Sequence, residues 1–242
     1  MNSTPQAEGK GIGKTGPTVT ETRAKSPGGP AAEKAYDSYA VFELCIERAK
    51  SLIKLHTAAH GRAGKPEKCF SDAHRAAIVL AVSALDAFVR DFMIARTRAL
   101  LASRQTELPA SLKEEIKRFV KEDALLEAAR KDDLLERVEK AFRSQFDRRS
   151  FQGTKNITET LRIVGYEDVF HEVAIRGDLN EDTLRRDLDR FTNRRHAIAH
   201  QGDYDLTQNP PVENVVTKKD ATDCIKLMSR IAQNIQNLGT QP

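Results

Sequence analysis

Apolar side chains recur at helical spacing through most of this chain, and no stretch shows the alternation of a convincing strand. Between about residues 33 and 56, Tyr36, Tyr39, Phe42, Cys45 or Ile46, Ala49, and Leu52 or Ile53 make one apolar face. Ile78, Val82, Leu85, Val89 and Phe92 repeat at i, i+4, i+7, i+11 and i+14. That predicts a second, long helix at the centre of the core, capped by Ser71 or Asp72. Gly61, Gly64 and Pro66 mark a loop over 59–68 between the two. Pro109 interrupts the chain, and Ser111 followed by Glu114 then predicts a capping box for a helix through Ile116, Phe119 and Val120. Charged helical sequence continues to about Phe146, with Leu134, Leu135, Val138 and Phe142 as its inner face. Arg148, Arg149, Phe151 and Lys155 read as a solvated basic connection, with RNA contact as the alternative. A short helix over 156–164 ends at Gly165, and another begins at Asp182 or Thr183 and stops at Gly202. A last helix is expected over about 218–238, beyond Pro210 and Pro211.

Composition supports this all-α reading. The 242 residues hold one sizeable core, and 39% hydrophobic content with no Trp and 13 Gly suits helices better than sheets. Residues 1–30 are rich in Gly, Pro, Ser, Thr and Lys, so they read as a disordered tail, leaving 31–242 as the helical domain. Gly11, Gly13 and Gly16 satisfy G-x-G-x-x-G, yet no strand precedes them and Pro17 follows, so a dinucleotide or phosphate loop is rejected. The three cysteines (Cys45, Cys69 and Cys224) are scattered and odd in number, which reads as reduced thiols. With no apolar run of bilayer length and no signal-peptide pattern, the expected location is cytoplasmic, away from membranes.

The polar chemistry concentrates in one run, FTNRRHAIAHQGD at 191–203. It brings Asn193, Arg194, Arg195, His196 and His200 into the last turns of the predicted helix. The net charge of +4 is too small to argue for nucleic acid, but residues 185–196 hold five arginines against two aspartates. At about 100° per residue, Asp189, Asn193, His196 and His200 share one side, opposite a core stripe of Leu184, Leu188, Phe191 and Ile198. Arg195 projects nearer to the stripe than to His200, so a helix distortion or a second chain is needed to bring the two together.

Arg195, four residues, then His200 matches the Arg-x4-6-His signature of the HEPN superfamily. The wider run 194–205 resembles the RiboL-PSP-HEPN group, and AVSALDAFVRD at 81–91 is similar to its early core helix. The resemblance spans about residues 35–238 and departs from the usual pattern at His196, where Asn is common. It implies a HEPN-like helical bundle with extra helices, acting as a metal-independent endoribonuclease of toxin-like or phage-defence type. It also implies RNA as ligand, a homodimer whose two motifs line one cleft, and an antitoxin or defence-system partner.

The chemistry required is a base for the 2′-hydroxyl, an acid for the leaving 5′-oxygen, and positive charge on the phosphate. Histidine fills either proton role near neutral pH, and arginine grips two phosphate oxygens at once. Arg195, His196 and His200 are therefore the candidate catalytic residues, and Arg190, Asn193 and Arg194 the candidate RNA-binding ones. For Arg194 a solvent-facing position fits equally well, and Asp189 and Asn193 either orient a histidine or make surface hydrogen bonds. His196 and His200 have metal-ligand spacing, but Ala197 stands where an H-E-x-x-H motif has Glu, so no metal or other cofactor is expected. The competing reading is a non-catalytic helical RNA-binding or interaction module on the same fold. His56, His60, His74 and His171 fit no constellation.

Overall fold

In a computed structural model describing residues 37–59, 68–103, 107–146 and 149–239, the first apolar face becomes α1 (Ser38–Ala59). The second becomes α2 (Lys68–Ala102), whose 35 residues span about 52 Å at 1.5 Å per residue. The tail expected over 1–30 lies outside the described residues, as do residues 60–67 of the expected loop. Phe42, Ile46, Ala49 and Ile53 of α1 and Ile78, Val82, Leu85, Phe88 and Val89 of α2 are all buried. Rings of Tyr39, Phe42 and Phe88 lie within 6 Å of one another at that end, Tyr39 stacked on Phe42 and edge-on to Phe88. The expected cap of α2 is corrected: the helix starts before Ser71 and Asp72, and both side chains accept instead from the Arg75 guanidinium, at 2.7 and 3.1 Å.

The middle of the chain breaks more often than its charge pattern suggests. It forms α3 (Ala110–Phe119), α4 (Glu122–Lys131) and α5 (Leu134–Phe146). Asp132 takes a left-handed conformation (φ 57°) that ends α4, a role short polar side chains tolerate best. The inner face of α5 is Val138, Phe142 and Phe146, while Leu134 and Leu135 are only half-buried. The capping box at Ser111 is also corrected. Ser111 lies inside the first turn of α3, and its hydroxyl donates to the carbonyls of Arg162 and Ile163 at 3.0 and 3.2 Å. It closes the C-terminus of α6 (Gly153–Ile163), whose last carbonyls have no partner within their own helix.

Phe151 does not belong to a solvated connection: it is 2% exposed and packs edge-on against Phe146 at 5.3 Å. Its ring is thus unavailable to RNA. After α6 comes a helix the sequence reading did not separate, α7 (Val169–Gly177), started by Asp168 accepting from the His171 amide. Then follow α8 (Glu181–Gln201), a two-stranded antiparallel ribbon of β1 (Tyr204–Asp205) and β2 (Val212–Glu213), and α9 (Lys218–Gly239). The inner stripe of α9, from Ala221 through Cys224, Met228, Ile231 and Ile235 to Leu238, packs on α1 and α2. Helices α1, α5, α6, α8 and α9 thus surround α2, and the last turns of α8 lie against its first half. Among the described residues, no helix is long and apolar enough to cross a membrane.

Candidate functional site

Helix α8 carries the motif, and its two ends explain where the motif sits. Asn180 caps the start, its side chain accepting from the Thr183 amide at 2.9 Å, so the helix begins slightly before the expected Asp182 or Thr183. Leu184, Leu188 and Phe191 are buried, and Ile198 is half-buried against the same core. Gly202 ends the helix at φ 63°, a conformation available to glycine without a Cβ clash. The amide of Asp203 then donates back to the Ala197 carbonyl at 3.1 Å.

The helix stays regular through Gln201, so the side chains separate as ideal geometry dictates. His196 and His200 come together, with ring centroids 4.6 Å apart at an interplanar angle of 45°, and both face solvent. Asn193 is exposed on the preceding turn. Arg195 is half-buried and turned away from them. Its Nε is buried without a hydrogen-bond partner, and among the described residues no hydrogen bond or ion pair joins it to either histidine.

What Arg195 does face is α2. Burial pushes the Asp86 carboxyl above the usual aspartate range, against the lowering influence of the Phe151 amide, Gln152, and the charges of Arg195 and Arg90. The Phe151 amide donates to Asp86 Oδ1 at 2.6 Å. Asp86 and Arg195 are therefore opposite charges within electrostatic reach, in a half-buried environment that screens them less than water does.

Arg194 has a different environment. Its guanidinium donates to Asp203 Oδ2 at 2.8 Å and to the Val215 carbonyl at 3.0 Å. Asp203 is fully buried, and the same Oδ2 accepts from Arg75 Nε at 2.8 Å. Arg75, itself 6% exposed, also pairs with Glu213 at 2.9 Å and donates to the Asn214 carbonyl at 2.7 Å. Two guanidiniums on one buried carboxylate compensate its charge and fasten the turn after His200 to the start of α2. Desolvation makes such clusters poor sources of net stability but effective at fixing one arrangement, because breaking one partner leaves a buried charge.

Asp189 likewise serves the fold. Its Oδ1 accepts from the Thr154 amide at 2.7 Å, at the start of α6 where Gly153 sits at φ 79°. The arginine-rich stretch is also less free than its sequence suggests. Arg185 pairs with Glu181 and Asp168 and lies over the Phe170 ring, and Arg190 lies over Phe191 at 4.3 Å with Asp187 3.6 Å from its Nε. Arg190 remains half-exposed, facing the first turns of α9.

Three residues beside the motif take roles that the sequence did not assign them: Asp86, Arg75 and Asp203. Asp86 carried a signal, a carboxylate on the apolar face of a core helix, whereas Arg75 and Asp203 are separated by 128 positions. Burial pushes the Cys224 thiol up to about 12, so it is no nucleophile near neutral pH. Among the described residues, no group of three or more His, Cys, Asp or Glu is placed to hold a metal ion.

The all-α architecture is that of a HEPN-like bundle. Residues 43–238 match the model of the RiboL-PSP-HEPN family, and the chain belongs to that family. Domains of the HEPN type are often ribonucleases or nucleotide-binding modules. No curated protein and no solved structure matches the chain.

Proposed function

We propose that the protein is a metal-independent endoribonuclease in which His200 and His196 handle protons and Arg195 holds the scissile phosphate. The observation that carries this reading is the solvent-facing histidine pair at the end of α8, its rings 4.6 Å apart, next to an arginine whose Nε has no hydrogen-bond partner among the described residues. A paired imidazole supplies both a base for the 2′-hydroxyl and an acid for the 5′-oxygen, giving a 2′,3′-cyclic phosphate and a 5′-hydroxyl. The guanidinium supplies two parallel donors for the phosphate oxygens.

Arg195 and the histidines point to different sides of α8, so one chain alone leaves them apart. A two-fold pair sets the arginine of one protomer beside the histidines of the other, which makes the active species a homodimer. Arg190 and Asn193 lie on the exposed side where flanking RNA passes. Arg194, spent on Asp203, acts by holding the helix end in place. A toxin-like or phage-defence role, held in check by a partner protein, fits an RNA-cleaving domain of this kind. Incubation of the purified protein with total RNA, beside His200→Ala, tests the reading. Binding without cleavage, unchanged by the substitution, selects the non-catalytic RNA-binding module instead.

A further inference from the structure

We propose that the groove between α2 and the end of α8 is a nucleobase subsite, holding the base of a nucleotide whose phosphate lies on Arg195. This rests on the ribonuclease reading for its substrate. The groove measures about 500 Å³ and is lined from α2 by Ala76, Val79, Leu80 and Ser83 and from α8 by Ile198. It therefore opens on the motif helix itself. Val79, Leu80 and Ile198 are half-buried and Ala76 is exposed, so apolar side chains still present surface to a ligand. A mostly apolar hollow with few polar groups is the usual form of a small-ligand site.

Three observations choose a base as the occupant. The first is position. Ile198 lies one turn beyond Arg195 on α8, and Ser83 one turn before Asp86, whose carboxyl feels the Arg195 charge. On each helix the groove thus begins about 4.5 Å of rise from the phosphate-binding arginine or its acidic neighbour. The second is the Ser83 hydroxyl. It makes no hydrogen bond among the described residues, although a helical serine commonly bonds the carbonyl one turn back. It lines the groove as an uncommitted donor and acceptor.

The third is charge. At its far end the groove carries Asp72, whose side chain is 69% exposed, while Arg75 there is occupied by Asp203 and Glu213. Asp72 stands about 16 Å from Ser83 along α2, so it touches no base that sits against Ser83. Its carboxylate repels a phosphate backbone continuing that way. The groove therefore takes one uncharged group and not a strand. Because a hydroxyl either donates or accepts, Ser83 suits the edges of more than one base. The subsite demands a base without selecting strongly among the four.

The test uses the full chain, its Ser83→Ala and Val79→Phe variants, and two trinucleotide RNAs methylated at every 2′-oxygen, which bind without being cleaved. One probe carries all its bases and the other is abasic throughout. The wild type should bind the base-bearing probe more tightly. Ser83→Ala should weaken that binding about two- to tenfold, the worth of one hydrogen bond. Val79→Phe, which fills the groove from a half-buried position, should abolish the preference. Both variants should bind the abasic probe as the wild type does, and Arg195→Ala should weaken both probes alike. Equal wild-type affinity for the two probes overturns the proposal, as does a preference that survives undiminished in either variant. Weaker abasic binding by the variants also overturns it, because their effect is then structural. So does a halved sedimenting mass for Val79→Phe, which gives the groove to a second copy of the chain. Equal affinity for the probes with total RNA still cleaved ends the groove alone. A preference lost as expected, with no cleavage of any RNA, supports the groove and ends the ribonuclease reading.

Discussion

Arg194 and Asp203 meet at 2.8 Å across the end of α8, and Arg75 of α2 shares the same carboxylate oxygen. The three residues pin the turn that follows His200. Removing the shared carboxylate with Asp203→Ala leaves two guanidiniums facing a buried void. Losing one partner of a buried ionic cluster costs about 3–5 kcal/mol, so chemical denaturation should show a loss of that size. Arg194→Ala should also lower stability, whereas a purely RNA-contacting arginine would change affinity and leave the unfolding midpoint alone.

Asp189 caps α6, so its loss should register in stability before it registers in chemistry. Asp189→Ala removes the acceptor for the Thr154 amide, and losing a capping side chain costs about 0.5–2 kcal/mol. The specific activity of the folded fraction should be unchanged. A fall in kcat with no change in stability would show that Asp189 orients a histidine instead.

The sign of the Asp86 effect follows from its raised pKa. Burial favours the protonated carboxyl in the fold, so this group's contribution is full below the ordinary value of 3.8 and is lost as pH rises through the raised folded value. Asp86→Asn cannot ionise and keeps an oxygen for the Phe151 amide. Urea unfolding from about pH 3.5 to about pH 6 should therefore show the wild type losing ground to the variant as pH rises. If it gains ground instead, attraction to Arg195 outweighs burial.

The separation of Arg195 from the histidines predicts a functional pair of chains. Sedimentation should give a dimer at micromolar concentration. Mixing inactive Arg195→Ala with inactive His200→Ala should restore cleavage, because a mixed dimer contains one intact arginine–histidine cleft. A strict monomer that still cleaves RNA contradicts this arrangement.

Much of the fold was legible because a buried stripe imposes helical periodicity. Phe42 through Ile53, Ile78 through Phe92, and Leu184 through Phe191 all face the core as their spacing predicts. The histidine pair was legible too, since i and i+4 neighbours meet on any regular helix. The helix ends were harder to read because their partners lie elsewhere in the chain. Ser111 looks like the cap of its own helix yet closes α6, and Asp189 looks like a neighbour of the histidines yet caps the same helix from the other side. Arg194 looked free because the turn that brings Asp203 back to it leaves no periodic trace. Helix α7 was missed because nine residues are too short to establish a stripe.

Proton transfer by His200 is tested most directly by the rate and end chemistry of RNA cleavage by wild type and His200→Ala, with and without chelator. The wild type should leave 2′,3′-cyclic phosphate and 5′-hydroxyl ends at a rate indifferent to chelator. The folded variant should be slower by about a hundred- to ten-thousand-fold, the usual worth of a proton-transfer group. Cleavage that stops with chelator and returns with zinc, or that persists undiminished in His200→Ala, would contradict the account.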